Sequence, residues 1–335
     1  MLGGITATLL VVFGLAVLFD YINGFHDTAN AIATSVSTRA LRPEYAIALS
    51  AAANFIGALT GTEVAATVGS GIVATPAGQA GQLIVAAALV GAIIWNLVTW
   101  RAAIPSSSSH ALIGGLIGAT FVAVGTGALD IGGIVGKVLL PLIVSPLLGL
   151  SIGFLLMVAL LNIFRGADPH RLNERFRRVQ LLSAAFMAFS HGSNDAQKTM
   201  GIMTLALVSA GLLPSFEVPL WVIVLAASAI ALGTAGGGWR IIRTVGQKVV
   251  KLDPVHGVAA EATSAAIILG ASHLGMPVST THVVSTAIMG VGSTEGFSAV
   301  RWGIVGNIVW AWILTIPLSA AAAAGAWFVL HVLVG

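Results

Sequence analysis

Long apolar runs separated by short polar interruptions make up this chain of 335 residues. Residues 80–100, 138–164, 255–272 and 302–333 are apolar almost throughout. A helix rises about 1.5 Å per residue, so roughly 20 residues cross the hydrocarbon of a bilayer. None of these runs shows the two-residue alternation of a transmembrane strand. The pattern predicts an all-α polytopic membrane protein. Residues 1–38 and 179–213 are each longer than one crossing and carry glycine and polar interruptions, so broken helices or hairpins are expected there. Counting every piece gives about 10–12 membrane segments.

Composition sharpens this picture. The chain is 57% hydrophobic and 8% charged, whereas a soluble domain carries about 25% charged residues. Too few polar residues exist to coat a soluble surface of this size, so the solvent is lipid. The N-terminal run lacks a basic stretch and an obvious cleavage site and reads as a first span. The absence of cysteine excludes disulfides, thiolate metal sites and iron–sulfur clusters. The sparse positive charges read as loop anchors, and no nucleic-acid partner is expected.

Three local patterns recur in the same order. "NGFHDTAN" (23–30) is mirrored by "HGSNDAQK" (191–198), "GTEVAATVGSGIV" (61–73) by "GWRIIRTVGQKVV" (238–250), and "PSSSSH" (105–110) by "PVSTTH" (277–282). The order and near-equal separation predict a duplicated chain, with one half at 1–164, a basic loop at 165–178 and a second half at 179–335. That loop holds Arg165, Arg171, Arg175, Arg177 and Arg178, and short basic loops favour the cytoplasm. It precedes the second aspartate motif, while Arg39 and Arg42 follow the first. The uncharged run 67–82 likewise faces a basic mate near Arg240 and Arg243. Both comparisons predict inverted repeats with the N-terminus outside. Inverted repeats are typical of secondary transporters, whose sites lie at the midplane where the halves meet.

Ionisable groups in hydrocarbon cost at least about 2.5–3.5 kcal/mol each by insertion scales, so they mark function or pairing. Asp27, Asp195, Lys198 and Glu261 lie in apolar surroundings, accompanied by Asn30, Asn194 and Gln197. Carboxylates beside amides make an oxygen cage for Na⁺, or a seat for H⁺. His26 and His191 flank the aspartates and are candidate proton carriers, because histidine is the residue type suited to proton exchange at physiological pH. Lys198 either pairs with Asp195 three residues earlier or touches an anion. In the other motif, proline opens a helix well and serine or threonine caps it. A helix starting inside the membrane offers free N–H groups, hydroxyl donors and a positive dipole end, which together bind an anion. Serine bonded back to its own helix is the alternative, but four hydroxyls after proline, mirrored in the other half, favour the anion site.

At these residues the chain resembles the inorganic phosphate transporter (PiT) family along essentially its full length. The motifs are "GFHDTAN", "GSNDAQK", "PSSSSH" and "PVSTTH". The resemblance implies symport of inorganic phosphate with a cation in the cell membrane. It implies phosphate contacts at Ser107, Ser108, Ser109, Ser279, Thr280 and Thr281, with Gln197 and Lys198 as further candidates. It places the coupling cation near Asp27, Asn30, Asn194 and Asp195, a set that would also take Na⁺. His26 and Glu261 join them as coupling candidates, with Asn54 as the expected first-half counterpart of Glu261. Two departures matter: His26 and Lys198 each stand where the signature has Asn. These forms look like the bacterial low-affinity branch, similar to proton symporters that carry phosphate as a neutral complex with Mg²⁺ or another divalent metal. H⁺ coupling is therefore favoured over Na⁺, with no resident cofactor. Carriers of this kind are commonly homodimers.

The rivals are a passive anion channel, a sulfate or other oxyanion carrier, and an intramembrane serine hydrolase. The channel would need rings of like residues, whereas the polar groups gather in two compact pairs. The hydrolase would use Ser106 and His110, at i and i+4, but the mate of Ser106 is Val278 and hydrolysis needs no duplicated half-site. No enzyme is expected.

Overall fold

The computed structural model describes residues 7–237, 241–242 and 244–334. The helices are α1 (Ala7–Ser37), α2 (Pro43–Ala58), α3 (Glu63–Ser70), α4 (Gln79–Arg101), α5 (Ser108–Val124), α6 (Ile131–Ile163), α7 (Pro169–Ser209), α8 (Leu220–Gly236), α9 (Pro254–His273), α10 (Thr280–Gly292) and α11 (Trp302–Val334). Helix α6 contains one π turn at Val135–Leu139. The pairing Val73–Leu129 is an isolated antiparallel bridge.

Five helices, α1, α4, α6, α9 and α11, are long and apolar enough to cross a membrane. Four of them cover the apolar runs read from the sequence. Helices α5 and α8 are shorter apolar helices. The breaks fall elsewhere than expected. Residues 7–37 form one continuous helix, as do residues 169–209. Gly24, Gly192 and Gly201 do not unwind the backbone and serve instead as close contacts with neighbouring helices. The bent segment is instead α2–α3, whose axes turn by 73°, and the interrupted chain lies at the starts of α5 and α10. The basic stretch expected as a loop is also helical from Pro169 onward, because the Asp168 side chain caps it by accepting from the Arg171 N–H at 2.9 Å. Arg240 and Arg243 lie outside the described residues.

The outer helices α6 and α11 present Leu147, Leu155, Trp310 and Phe328 outward, as lipid contact requires. Buried polar residues concentrate on α1 and α7, including Asp20, Asn23, Asp27 and Asn30 on one and His191, Asp195 and Lys198 on the other.

The halves interlock reciprocally. Helix α1 packs on α8, while its counterpart α7 packs on α2. A methyl added at Gly24 would overlap the carbonyl oxygen of Ile230, and one added at the matching Gly192 would overlap that of Asn54. Only glycine permits these backbone approaches, which small residues supply throughout membrane helix packing. Likewise Gly118 of α5 meets Ala320 of α11, and Gly290 of α10 meets Leu150 of α6. This exchange corrects one expectation. Asn54 corresponds in position to Ile230, not to Glu261, since α2 is the counterpart of α8 and Glu261 lies on α9.

Candidate functional site

Both hydroxyl motifs start helices in the same way. Ser107 is extended, at φ −100° and ψ 109°, and its Oγ accepts from the His110 N–H at 3.2 Å. Ser279, at φ −85° and ψ 107°, accepts from the His282 N–H at 3.2 Å. A serine cap satisfies only one of the four orphan N–H groups at a helix start. The remainder, with the positive dipole ends of α5 and α10, are available to an anion. The two starts also touch each other: Thr281 Oγ1 donates to the Ser106 carbonyl at 3.0 Å, and Ser109 Oγ to the Val278 carbonyl at 3.4 Å. Those bonds exchange matching positions between the halves. All six residues, Ser107, Ser108, Ser109, Ser279, Thr280 and Thr281, are buried. The Ser108 hydroxyl has no hydrogen-bond partner among the described residues.

Helices α1 and α7 bring amide and charge to this pair. Asn30 Nδ2 donates to Thr281 Oγ1 at 2.9 Å and lies 3.5 Å from Thr280 Oγ1. Thr280 Oγ1 donates to Asp195 Oδ2 at 3.2 Å. The Lys198 ammonium donates to Asp195 Oδ1, to Ser109 Oγ at 2.5 Å and to the Val278 carbonyl at 3.1 Å. Both readings of Lys198 thus meet in one geometry, since it pairs with Asp195 and reaches the hydroxyl motif.

Each aspartate has a histidine. His26 Nδ1 lies 2.7 Å from Asp27 Oδ1, and its Nε2 lies 3.2 Å from Thr99 Oγ1. That threonine donates to the Trp95 carbonyl at 3.0 Å and accepts from Ser106 at 2.8 Å. His191 Nε2 lies 3.2 Å from Asp195 Oδ2, and its Nδ1 lies 3.0 Å from Asn54 Oδ1. The Asn54 amide is oriented by its own bond to Thr234 Oγ1 at 2.9 Å. One ligand atom each from Asp27, His191 and Asp195 lies within 4.8 Å of the others. Oxygen and imidazole ligands at that spacing fit a small cation.

The remaining candidates lie apart. Asn194 and Gln197 neighbour Asp195 and Lys198 in sequence, but each residue turns the side chain about 100° around a helix. Asn194 donates to Ser272 Oγ at 2.9 Å and the Met276 carbonyl at 3.3 Å. Gln197 Oε1 accepts from the Val64 N–H at 2.8 Å, at the start of α3. Glu261 sits in its own pocket, accepting from Thr34 at 2.5 Å, Ser183 at 2.5 Å and Gln180 at 3.0 Å. His110 and His282 lie with ring centroids 5.0 Å apart, and His282 stacks on Trp312 at 4.0 Å. Ser106 donates to Thr99 instead of His110, so the Ser106–His110 pair does not form. Sequence reasoning missed Thr99 and the Asn54–Thr234 pair. Both come from helices without a motif, and neither carries a charge in an apolar run.

The structure is a bundle of membrane-length apolar helices in which two serine-capped helix starts meet beside the buried Asp195–Lys198 pair, the architecture of a membrane carrier. Residues 23–323 match the phosphate transporter family, and the chain belongs to that family. It is 48% identical to a Bacillus subtilis (strain 168) protein named "Probable low-affinity inorganic phosphate transporter" over 327 residues, 97% of this chain and 98% of the relative. A Rhizobium meliloti (strain 1021) protein of the same name is 46% identical over 96% of each chain. The fold matches a solved structure named "The sodium-dependent phosphate transporter" with a TM-score of 0.86 and 27% identity, over 98% of this chain and 100% of the other. These are transporters, so the hydrolase reading falls and the chain is a membrane transporter rather than an enzyme.

Proposed function

We propose that this chain is a secondary active symporter of inorganic phosphate in the cell membrane, coupled to H⁺. The helix starts at Ser107–Ser109 and Ser279–Thr281 hold the phosphate, with Lys198 as the fixed positive charge beside it. Hydroxyls and N–H groups hold an oxyanion by hydrogen bonds that can be released, while Lys198 answers its charge. The inverted orientation, with the N-terminus outside and residues 165–178 cytoplasmic, belongs to this reading.

One observation carries the choice of ion. Both aspartates face a histidine whose other ring nitrogen faces an acceptor. Asn54 Oδ1 can only accept, and the Thr99 hydroxyl proton is directed to a carbonyl. A doubly protonated His26 would donate from both nitrogens, and His191 stands at ion-pair distance from Asp195 without a formed hydrogen bond, which supports a proton as the coupling ion. Lys198 adds to the argument, because an ammonium already bound to Asp195 occupies the charge that Na⁺ would neutralise.

Na⁺ coupling is the second reading, favoured by the sodium dependence in the structural neighbour's name and by the Asp27, His191 and Asp195 ligand spacing. Radiolabelled phosphate uptake into proteoliposomes decides between them, with pH and Na⁺ gradients imposed separately, each with and without Mg²⁺. Uptake driven by the pH gradient alone is expected. Uptake driven by Na⁺ alone overturns the proton reading. Accumulation of sulfate in place of phosphate overturns the substrate. A requirement for Mg²⁺ would make a metal–phosphate complex the transported species.

A further inference from the structure

Asp20 belongs to no motif, yet it is 0% exposed, deep in α1, and neither carboxylate oxygen has a hydrogen-bond partner. Asn23 on the next turn and Thr199 on α7 flank it. Asn23 Oδ1 and Thr199 Oγ1 are likewise buried and unpartnered. One carboxylate, one amide and one hydroxyl thus lie together inside the protein, and the amide and the hydroxyl are both placed to donate toward the carboxyl group. No ion pair reaches Asp20 among the described residues. A bare carboxylate in such surroundings is costly, so the site is at rest only when a positive charge joins it.

We propose that Asp20, with Asn23 and Thr199, forms a further site of the coupling cation, where a co-transported proton neutralises the carboxylate during the transport cycle. The inference rests on the proton-coupled reading and names a residue for it outside the two aspartate motifs.

The surroundings fit this role. Helix α8, packed along α1, has no ionisable residue, and α4 has only Arg101, in its last turn. Helix α2 offers Glu44 and Tyr45 in its exposed first turn. Helices α5, α9 and α10 contribute His110, then His256, Glu261 and His273, then His282. On α1 itself the titratable neighbours are Tyr21, His26 and Asp27. The charges that act on Asp20 are those of Asp195 and Lys198. Lys198 immediately precedes Thr199 in the chain and touches Ser109 in the hydroxyl motif. Negative charge at Asp20 therefore opposes a phosphate at Ser109 and competes for Lys198. A proton on Asp20 removes both effects. By linkage, phosphate then raises the affinity of Asp20 for its proton by the same factor.

The test compares wild type, Asp20→Asn and Asp20→Glu in proteoliposomes. Two rates are read with radiolabelled phosphate: exchange at equal pH on both sides, and net accumulation under a pH gradient. Asn mimics the neutral acid and holds no proton. Asp20→Asn is expected to keep exchange while losing accumulation by about tenfold or more, within the range of a coupling free energy. Asp20→Glu is expected to restore accumulation. Wild-type accumulation in Asp20→Asn overturns the proposal. If Asp20→Asn loses exchange as well, Asp20→Glu decides: recovery supports a need for an ionisable group, and failure makes Asp20 structural and overturns it. If wild type accumulates phosphate only under a Na⁺ gradient, the proton reading fails by itself. The same variants under that gradient then show whether Asp20 carries the charge.

Discussion

The two halves of the molecule share a backbone and differ in how they answer a buried charge. In the first half, Asp27 meets His26, its neighbour in sequence, and no lysine or arginine among the described residues. In the second, Asp195 meets His191 one turn earlier and Lys198 one turn later. The serine caps of the two helix starts match, as do the glycine contacts at Gly24 and Gly192. The two hydroxyl motifs thus keep the same serine-capped helix start, whereas Asp195 has an ammonium beside it and Asp27 an imidazole. A carrier needs that asymmetry, since a site neutralised permanently on both sides has no place for a coupling ion.

The largest effect expected comes from removing the fixed charge. Lys198→Met leaves Asp195 buried without its ammonium, and breaking a buried ion pair from one side costs about 3–5 kcal/mol. Apparent stability, read by thermal unfolding in detergent, should fall steeply. Combining Lys198→Met with Asp195→Asn should recover most of that stability, because no charge is then stranded. Phosphate uptake should stay lost in both. Full stability in the single variant would show that Asp195 is already protonated and would dissolve the contrast between the halves. His26→Asn is the matching change in the first half. It should cost far less stability, since imidazole can be neutral, while pH-driven accumulation collapses and phosphate exchange persists.

Next come the glycines that hold the halves together. Gly24→Ala and Gly192→Ala each drive a methyl into a carbonyl of the opposing helix. Overpacking of this kind typically costs about 1–3 kcal/mol. The two losses should match, since the contacts are equivalent. A tolerated Gly24→Ala beside a disabling Gly192→Ala would confine the rigid part of the bundle to the second half.

What the sequence made legible follows from the range of each signal. Long apolar runs report membrane-length helices directly, so α4, α9 and α11 emerged within one residue of their observed limits, whereas α6 starts seven residues before the run read at 138–164. The capping chemistry of Ser107 and Ser279 is local to four residues and was equally readable. Glycine in 1–38 and 179–213 misled, because the same residue either unwinds a helix or lets another backbone approach, and the choice depends on what packs against it. Asn194 and Gln197 bond to Ser272 and to the Val64 N–H instead of to the Asp195–Lys198 pair, because a motif fixes order along the chain whereas a helix separates neighbours onto different faces. Asp20 was hidden in plain view. Asp20, Asn23, Asp27, Asn30 and Thr34 recur every three or four residues and line one buried face of α1, a helical polar stripe that a search for short motifs passes over.

The smallest effect tests the symmetry of the anion site itself. Ser107→Ala and Ser279→Ala each remove one N-cap, worth about 1 kcal/mol. Each cap also orients a first turn whose free N–H groups face the other helix start. If both starts hold the same anion, each variant should weaken phosphate affinity several-fold, by similar factors, with little change in maximal uptake. Because Thr281 bonds to Ser106 and Ser109 to Val278 across the junction, the two starts do not move independently. The double variant should therefore lose less than the product of the two single effects, the mark of contacts that act as a unit. Phosphate-concentration curves of exchange for the four proteins read this directly. Multiplicative losses would mean that the starts bind separately, and an effect from Ser279→Ala alone would assign the anion to the half that already holds Lys198.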